Sequence, residues 1–263
     1  MRILVIAGNT FRENVRDRIL YNLILFALIM IFSSFLLGQL SLGHEDKVIV
    51  DLGLTSISVF GTLIAIFIGI GLVYKELEKR TVYALLAKPI RRGEFILGKY
   101  LGLLFTLAVN TVIMAAGLIL TLLWHGGFGI HAFLSLLPAV YLVFLSLALT
   151  TALALLFSTF STPALSALFT LFLWGIGHFN SDLYEFARLT NSGALKGLSR
   201  SLYYVLPNFG NFTSAGSRNV IQSAAYHHSI GVAVTGWITA YTVLYCAALL
   251  GISIVVFARR DFK

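Results

Sequence analysis

Between Tyr100 and Ser181 the chain runs for 82 residues without an Asp, Glu, Lys or Arg. A second charge-free run of 40 residues extends from Asn219 to Ala258. A water-soluble fold must carry charge on its surface, and soluble domains are about 25% charged. Here 11% of the 263 residues are charged and 58% are apolar, with a mean hydropathy of +0.90. Runs of this length point to a bilayer, where a spanning helix needs about 20 mostly apolar residues. The composition excludes a disulfide scaffold, a disordered chain and a nucleic-acid domain. The single cysteine, Cys246, lies inside an apolar run. It can form neither an intrachain disulfide nor a CxxC metal site, and reads as a small buried hydrophobe.

An all-α polytopic fold with six transmembrane helices is expected, as one domain over 1–263. The spans fall at about 19–38, 52–74, 100–124, 132–157, 163–179 and 230–258. The breaks inside the long charge-free run are HGGFGIH (His125–His131) and STFSTP (Ser158–Pro163), because Gly pairs and Pro punctuate helices. The fifth span is short and the sixth long. Fourteen of the nineteen Lys and Arg fall at the N-terminus, between spans two and three, and at the C-terminus. By the positive-inside bias those segments are cytoplasmic, so both termini are cytoplasmic and 180–228 is a long outer loop. The apolar stretch Ile3–Ala7 is too short for the core of a cleavable signal peptide. Leu4, Ala7, Phe11, Val15 and Ile19 recur at steps of three and four, so 1–18 reads as an amphipathic helix in the membrane interface.

The six spans contain no Asp, Glu, Lys or Arg. Ionisable groups inside a membrane mark proton and ion paths, so their absence argues against a self-sufficient pump. Asn110, in the third span, reads as interhelical glue. The stretch Gly93-Glu-Phe-Ile-Leu-Gly98-Lys99 fits GxxxxGK, but Tyr100 follows where a phosphate loop needs Ser or Thr. No HExxH, GxSxG or paired-carboxylate arrangement appears. The chain is therefore expected to be non-catalytic and to carry no metal or cofactor of its own. His44, His125, His131, His178, His227 and His228 all fall on or near the outer side. They suggest either an outer metal or proton site or, more plainly, interfacial side chains.

The distinctive stretch is 75–99. Glu76, Glu78, Lys79 and Arg80 carry the second span on as a polar helix. Val82, Leu85 and Leu86 share one helical face, and Pro89 ends that helix. Arg91 and Arg92 sit at headgroup level, and Glu94 suits the start of the next helix. An apolar helical face outside the bilayer fits a groove on a partner.

This pattern resembles the signature of ABC transporter permeases of the type-2 export class. The residues that carry the likeness are Glu76 and Glu78, Thr81, Leu85 and Leu86, Pro89, Arg91 and Arg92, Glu94, then Gly98 and Lys99. Within that class the chain is most similar to the branch containing the permease of the nitrous oxide reductase copper-centre maturation system. Glu78-Lys-Arg-Thr81, Lys88-Pro-Ile-Arg91, Phe160-Ser-Thr-Pro163 and Tyr203-Tyr-Val-Leu-Pro-Asn208-Phe carry this narrower likeness. Arg80 stands where many members of the wider class have Gly, in agreement with the branch.

The resemblance implies a coupling helix around Thr81–Pro89 seated in a separate ATPase subunit, which holds ATP and Mg. Leu85 and Leu86 would fill the ATPase groove. Glu76, Glu78, Arg80, Arg91 and Arg92 would pair with the ATPase or brace the N-terminal helix. The implied assembly is a permease pair, a second copy or a paralogue, in a bacterial inner membrane, serving export or the maturation of an extracytoplasmic metalloenzyme. In the outer loop, Tyr203, Leu206, Pro207, Asn208 and Phe209 form a candidate outer gate, or a surface for an extracytoplasmic partner protein. Two rival readings stay open. One is an ABC-type mechanical or signalling component with no cargo; the other is a stand-alone channel or secondary carrier.

Overall fold

Helix boundaries in the computed structural model follow polar punctuation rather than the limits of the apolar runs. It describes residues 2–40, 45–78, 92–126, 130–190, 192–213 and 232–259. Among them are ten helices and no strand. In chain order they are α1 (Arg2–Val15), α2 (Arg18–Gln39), α3 (Glu45–Glu78), α4 (Arg92–His125) and α5 (Ile130–Ser158). There follow α6 (Pro163–His178), α7 (Asn180–Leu189), α8 (Gly193–Val205), α9 (Gly210–Thr213) and α10 (Val232–Arg259). Asp17 caps α2 by accepting from the Ile19 N–H at 3.0 Å. Pro163 opens α6 at a position where its missing N–H costs nothing.

Five helices are long and apolar enough to cross a membrane: α2, α3, α4, α5 and α10. The expected fifth span, 163–179, corresponds to α6, which has 16 residues. At about 1.5 Å per residue that is roughly 24 Å, short of a hydrocarbon core of about 30 Å. Helices α3 and α4 begin well before the expected spans, at Glu45 and at Arg92. Glu45 and Asp46 in the first turn of α3, and Glu94 in that of α4, favour a helix N-terminus. Charge there extends a helix that hydropathy alone would have ended.

The central helices are α3 and α5, most of whose span residues are buried; α2 and α10 are peripheral and largely exposed. Helix α2 packs on α3, α10 on α5, and α1 on α4. Polar residues inside the bundle mostly serve their own helix. Thr121, Thr150, Thr151 and Thr170 each donate to the carbonyl four residues back. Asn110 is buried with its Nδ2 unpartnered, so this amide nitrogen forms no interhelical bond.

Candidate functional site

Helix α1 crosses the first turns of α4 at two glycines. A Cβ on Gly98 would lie 2.7 Å from Ile6 Cβ, and one on Gly102 would lie 2.7 Å from the Ala7 carbonyl oxygen. Any side chain there would push the two backbones apart, which is how small residues permit close helix crossings. The buried residues of α1 are Thr10 and Asn14. Asn14 Nδ2 donates to Thr106 Oγ1 at 3.0 Å, and Thr106 Oγ1 donates onward to the Gly102 carbonyl at 2.9 Å. Lys99, between the glycines, is almost fully buried. Its Nζ lies 3.5 Å from Glu13 Oε2 and 5.8 Å from the centre of the Phe95 ring. Phe11 meets Phe105 edge to face at 4.7 Å.

This contact face shares Ala7 and Phe11 with the apolar stripe expected to lie in the membrane interface, but turns toward Thr10 and Asn14. Leu4 and Ile19 are exposed, as is Val5 beside them. The reason is that α4 presents a glycine notch flanked by Lys99 and Thr106. Such a surface is satisfied by Glu13 and Asn14, not by Leu4.

Arg92, the first residue of α4, ties it to the end of α10. Its Nη1 donates to the carbonyls of Phe257 at 3.1 Å and Ala258 at 2.6 Å. The last carbonyls of a helix lack intrahelical donors and carry partial negative charge, so a guanidinium suits them. Phe95 stacks on Phe257 one turn further in, with ring centres 5.9 Å apart.

At the opposite end of the bundle the chain leaves α6 and returns over it. The Phe209 N–H donates to the Gly177 carbonyl at 3.0 Å. The Phe209 ring is fully buried and lies nearly parallel to His178, 5.5 Å away. A Cβ on Gly177 would come within 2.5 Å of that ring and 2.6 Å of the Pro207 carbonyl oxygen. Two tyrosines of α10 complete the attachment. Tyr241 Oη accepts from the Asn208 N–H, and Tyr245 Oη donates to the Val205 carbonyl, both at 2.8 Å. Asn180 Nδ2 donates to the Tyr203 carbonyl at 3.3 Å. The hairpin of α7 and α8 leans outward, with Leu189, Leu198, Tyr204 and Val205 exposed. Also at this end, His125 Nε2 lies 2.9 Å from Glu45 Oε2 and 3.7 Å from Asp46 Oδ1, joining the end of α4 to the start of α3.

A family model described as ABC-2 family transporter protein matches residues 4–262, nearly the whole chain. The chain belongs to the ABC-2 transporter family. It is therefore an integral membrane protein and the permease component of an ABC transporter, a family whose members work with an ATPase partner and usually as dimers. No individually curated protein matches it.

Within this ABC-2 permease the sequence-derived residues fall in two places. Glu76 and Glu78 lie in the last turns of α3, and Arg92 and Glu94 in the first turn of α4. Arg80, Thr81, Leu85, Leu86, Pro89 and Arg91 lie outside the described residues. Arg92 turns to the end of α10. At the other end Pro207 and Phe209 meet α6 and Asn208 meets α10, while the Tyr203 carbonyl accepts from Asn180 of α7 and the Leu206 N–H stays with Leu202. The GxxxxGK stretch is continuous helix, with Lys99 turned toward Glu13. The Lys99–Glu13 pair and the Tyr241 and Tyr245 bonds were not anticipated. Gly98 and Gly102 flanking a lysine was the one available signal for the first.

Proposed function

We propose that this permease transmits ATP-driven movement from a coupling helix around Thr81–Pro89 into the bundle through the start of α4. The observation that carries this reading is the double attachment of that start. Residue 92 follows directly on the segment that carries the family-like motif. From there Arg92 grips α10 while Lys99, Gly98 and Gly102 grip α1. A push on the segment would move α1, α4 and α10 together. Leu85 and Leu86 seat in the ATPase, with Glu76, Glu78, Arg80 and Arg91 at its rim. ATP and Mg are held by the ATPase subunit.

The topology under this proposal has six spans and both termini in the cytoplasm of a bacterial inner membrane. Several contacts support it. The end of α10 meets the start of α4, and the start of α3 meets the end of α4. Helix α6 begins at Pro163, has Ala167 packed near Ile66 and Ile70 of α3, and ends at His178 beside Phe209. This course supports reading α6 as a span, the fifth in chain order, despite its length. The residues Tyr203–Phe209 form the outer closure of the path, and the α7–α8 hairpin is its movable lid. Two permeases, copies or paralogues, face each other. In this proposal the pair serves export or the maturation of an extracytoplasmic metalloenzyme, a reading supported only by the narrower sequence likeness.

The test is co-purification in mild detergent with measurement of ATP hydrolysis in the complex. A stoichiometric ATPase subunit, lost on Leu86→Asp, is the expected result. A pure, folded permease that brings down no ATPase would overturn the coupling reading.

A further inference from the structure

Helices α4, α5 and α10 leave a groove between them. Helix α10 packs mainly on α5, and its flank toward α4 borders a space of about 530 Å3. This is within the usual range of ligand pockets, roughly 300–1,000 Å3. The groove follows α10 from Thr239 to Ile254, about 22 Å at 1.5 Å per residue. Leu97 and Leu104 of α4 and Phe144 of α5 form its walls. The hydroxyls in the lining have partners within the protein. Tyr141 Oη and Thr239 Oγ1 bond each other at 3.1 Å, Tyr100 Oη donates to the Ala148 carbonyl, and Thr242 Oγ1 to the Ile238 carbonyl. The groove thus presents no hydroxyl in need of a polar ligand. It is suited to a long, flexible apolar chain.

Two further observations identify the source of that chain. Val243, which lines the groove, is 61% exposed, and its neighbour Leu244 is 72% exposed. The slot therefore opens on a lipid-facing flank of α10. Beyond Ile254, toward the end of α10, the charged residues among those described are Arg92, Glu94 and Arg259. Cations outnumber acids there, which attracts anionic headgroups. We infer that the α4–α5–α10 groove binds an acyl chain of an anionic phospholipid drawn from the adjoining leaflet, with its phosphate toward Arg259 at the end of α10.

The inference is tested on the full-length permease in phosphatidylcholine nanodiscs doped with phosphatidylglycerol carrying a photoreactive acyl chain. Labelling of peptides spanning 97–104 and 239–254 should exceed labelling of the exposed Leu25–Phe26 face of α2. It should be competed by unlabelled phosphatidylglycerol and less by phosphatidylcholine. Arg259→Ala should abolish that headgroup preference. A Cβ at Gly251, which lines the groove, meets nothing within 4 Å, so Gly251→Phe should fill the slot and reduce the label to the α2 level. Labelling no stronger than on α2, or a label that competitor does not displace, would sink the inference without any variant. So would efficient Val243→Cys cross-linking between two copies, which would make the groove a protein interface.

Discussion

Where α4 begins, three helices are joined by charged and polar side chains: Arg92 on the end of α10, Lys99 on Glu13, and Asn14 on Thr106. At the opposite end the ties run largely to main-chain atoms, from Gly177, Val205 and Asn208, around one buried aromatic ring. The first arrangement adds to its glycine crossing a set of separate side-chain bonds, each removable by one substitution, on surfaces that remain partly wet. Glu13 keeps 41% of its side chain exposed while Lys99 keeps 3%. The second depends on shape. Phe209 fits only because Gly177 has no side chain. A graded set of polar bonds suits a junction that moves as a unit, and an aromatic wedge suits a closure that holds position.

The sharpest way to break this contrast is at the wedge. Phe209→Ala removes a fully buried ring, and such truncations cost about 3–5 kcal/mol. We expect a large fall in thermal midpoint in detergent, with new protease cleavage between α7 and α9. A variant cleaved no faster than the parent would show that the outer segment is held by its tyrosine bonds alone. Next in size is the α1 crossing. Gly102→Leu places carbon against the Ala7 carbonyl and Thr10, and overpacking of this kind costs about 1–3 kcal/mol. The expected result is release of α1, read as protection lost in hydrogen exchange over 2–15, and loss of any ATPase stimulation in the complex. Unchanged protection would mean that α1 can shift along α4 without penalty.

The sequence revealed the all-helical character and the positions of the long apolar helices, because lipid imposes a length and a composition that few other environments share. It also revealed the family through 75–99, a stretch in which charge, Pro and paired Leu recur in a restricted order. It did not reveal the contact face of α1. Hydrophobic periodicity assigns Leu4 to the membrane interface, but it gave no sign that Thr10 packs into the Gly102 notch or that Asn14 finds Thr106 on α4. Nor did it reveal that Arg92 turns to α10. Partner choice for a guanidinium depends on which helix end lies near it, and Phe257 is distant in sequence. The outer segment was legible as turn and aromatic anchors, yet Tyr241 and Tyr245, inside an apolar run, gave no sign that their hydroxyls hold it.

Smaller effects sharpen the comparison by separating charge from shape. Glu13→Ala removes the carboxylate 3.5 Å from the buried Lys99 ammonium. Hydrogen bonds to charged groups are worth about 1.5–3 kcal/mol, and the exposure of Glu13 places the loss toward or below the lower figure. The double variant Glu13→Ala with Lys99→Leu should recover most of it, because replacing a buried pair by apolar groups is often neutral. No such rescue is available at the outer end. Tyr245→Phe removes one donor from the Val205 carbonyl, a loss of about 1 kcal/mol, and no second side-chain change restores a bond made to the backbone. Thermal midpoints of these three variants, measured in one detergent, decide the matter. A double variant no more stable than Glu13→Ala alone would mean that Lys99 is held by contacts other than Glu13, its packing on Phe95 among them, and that the Lys99–Glu13 pair is not what ties α1 to α4.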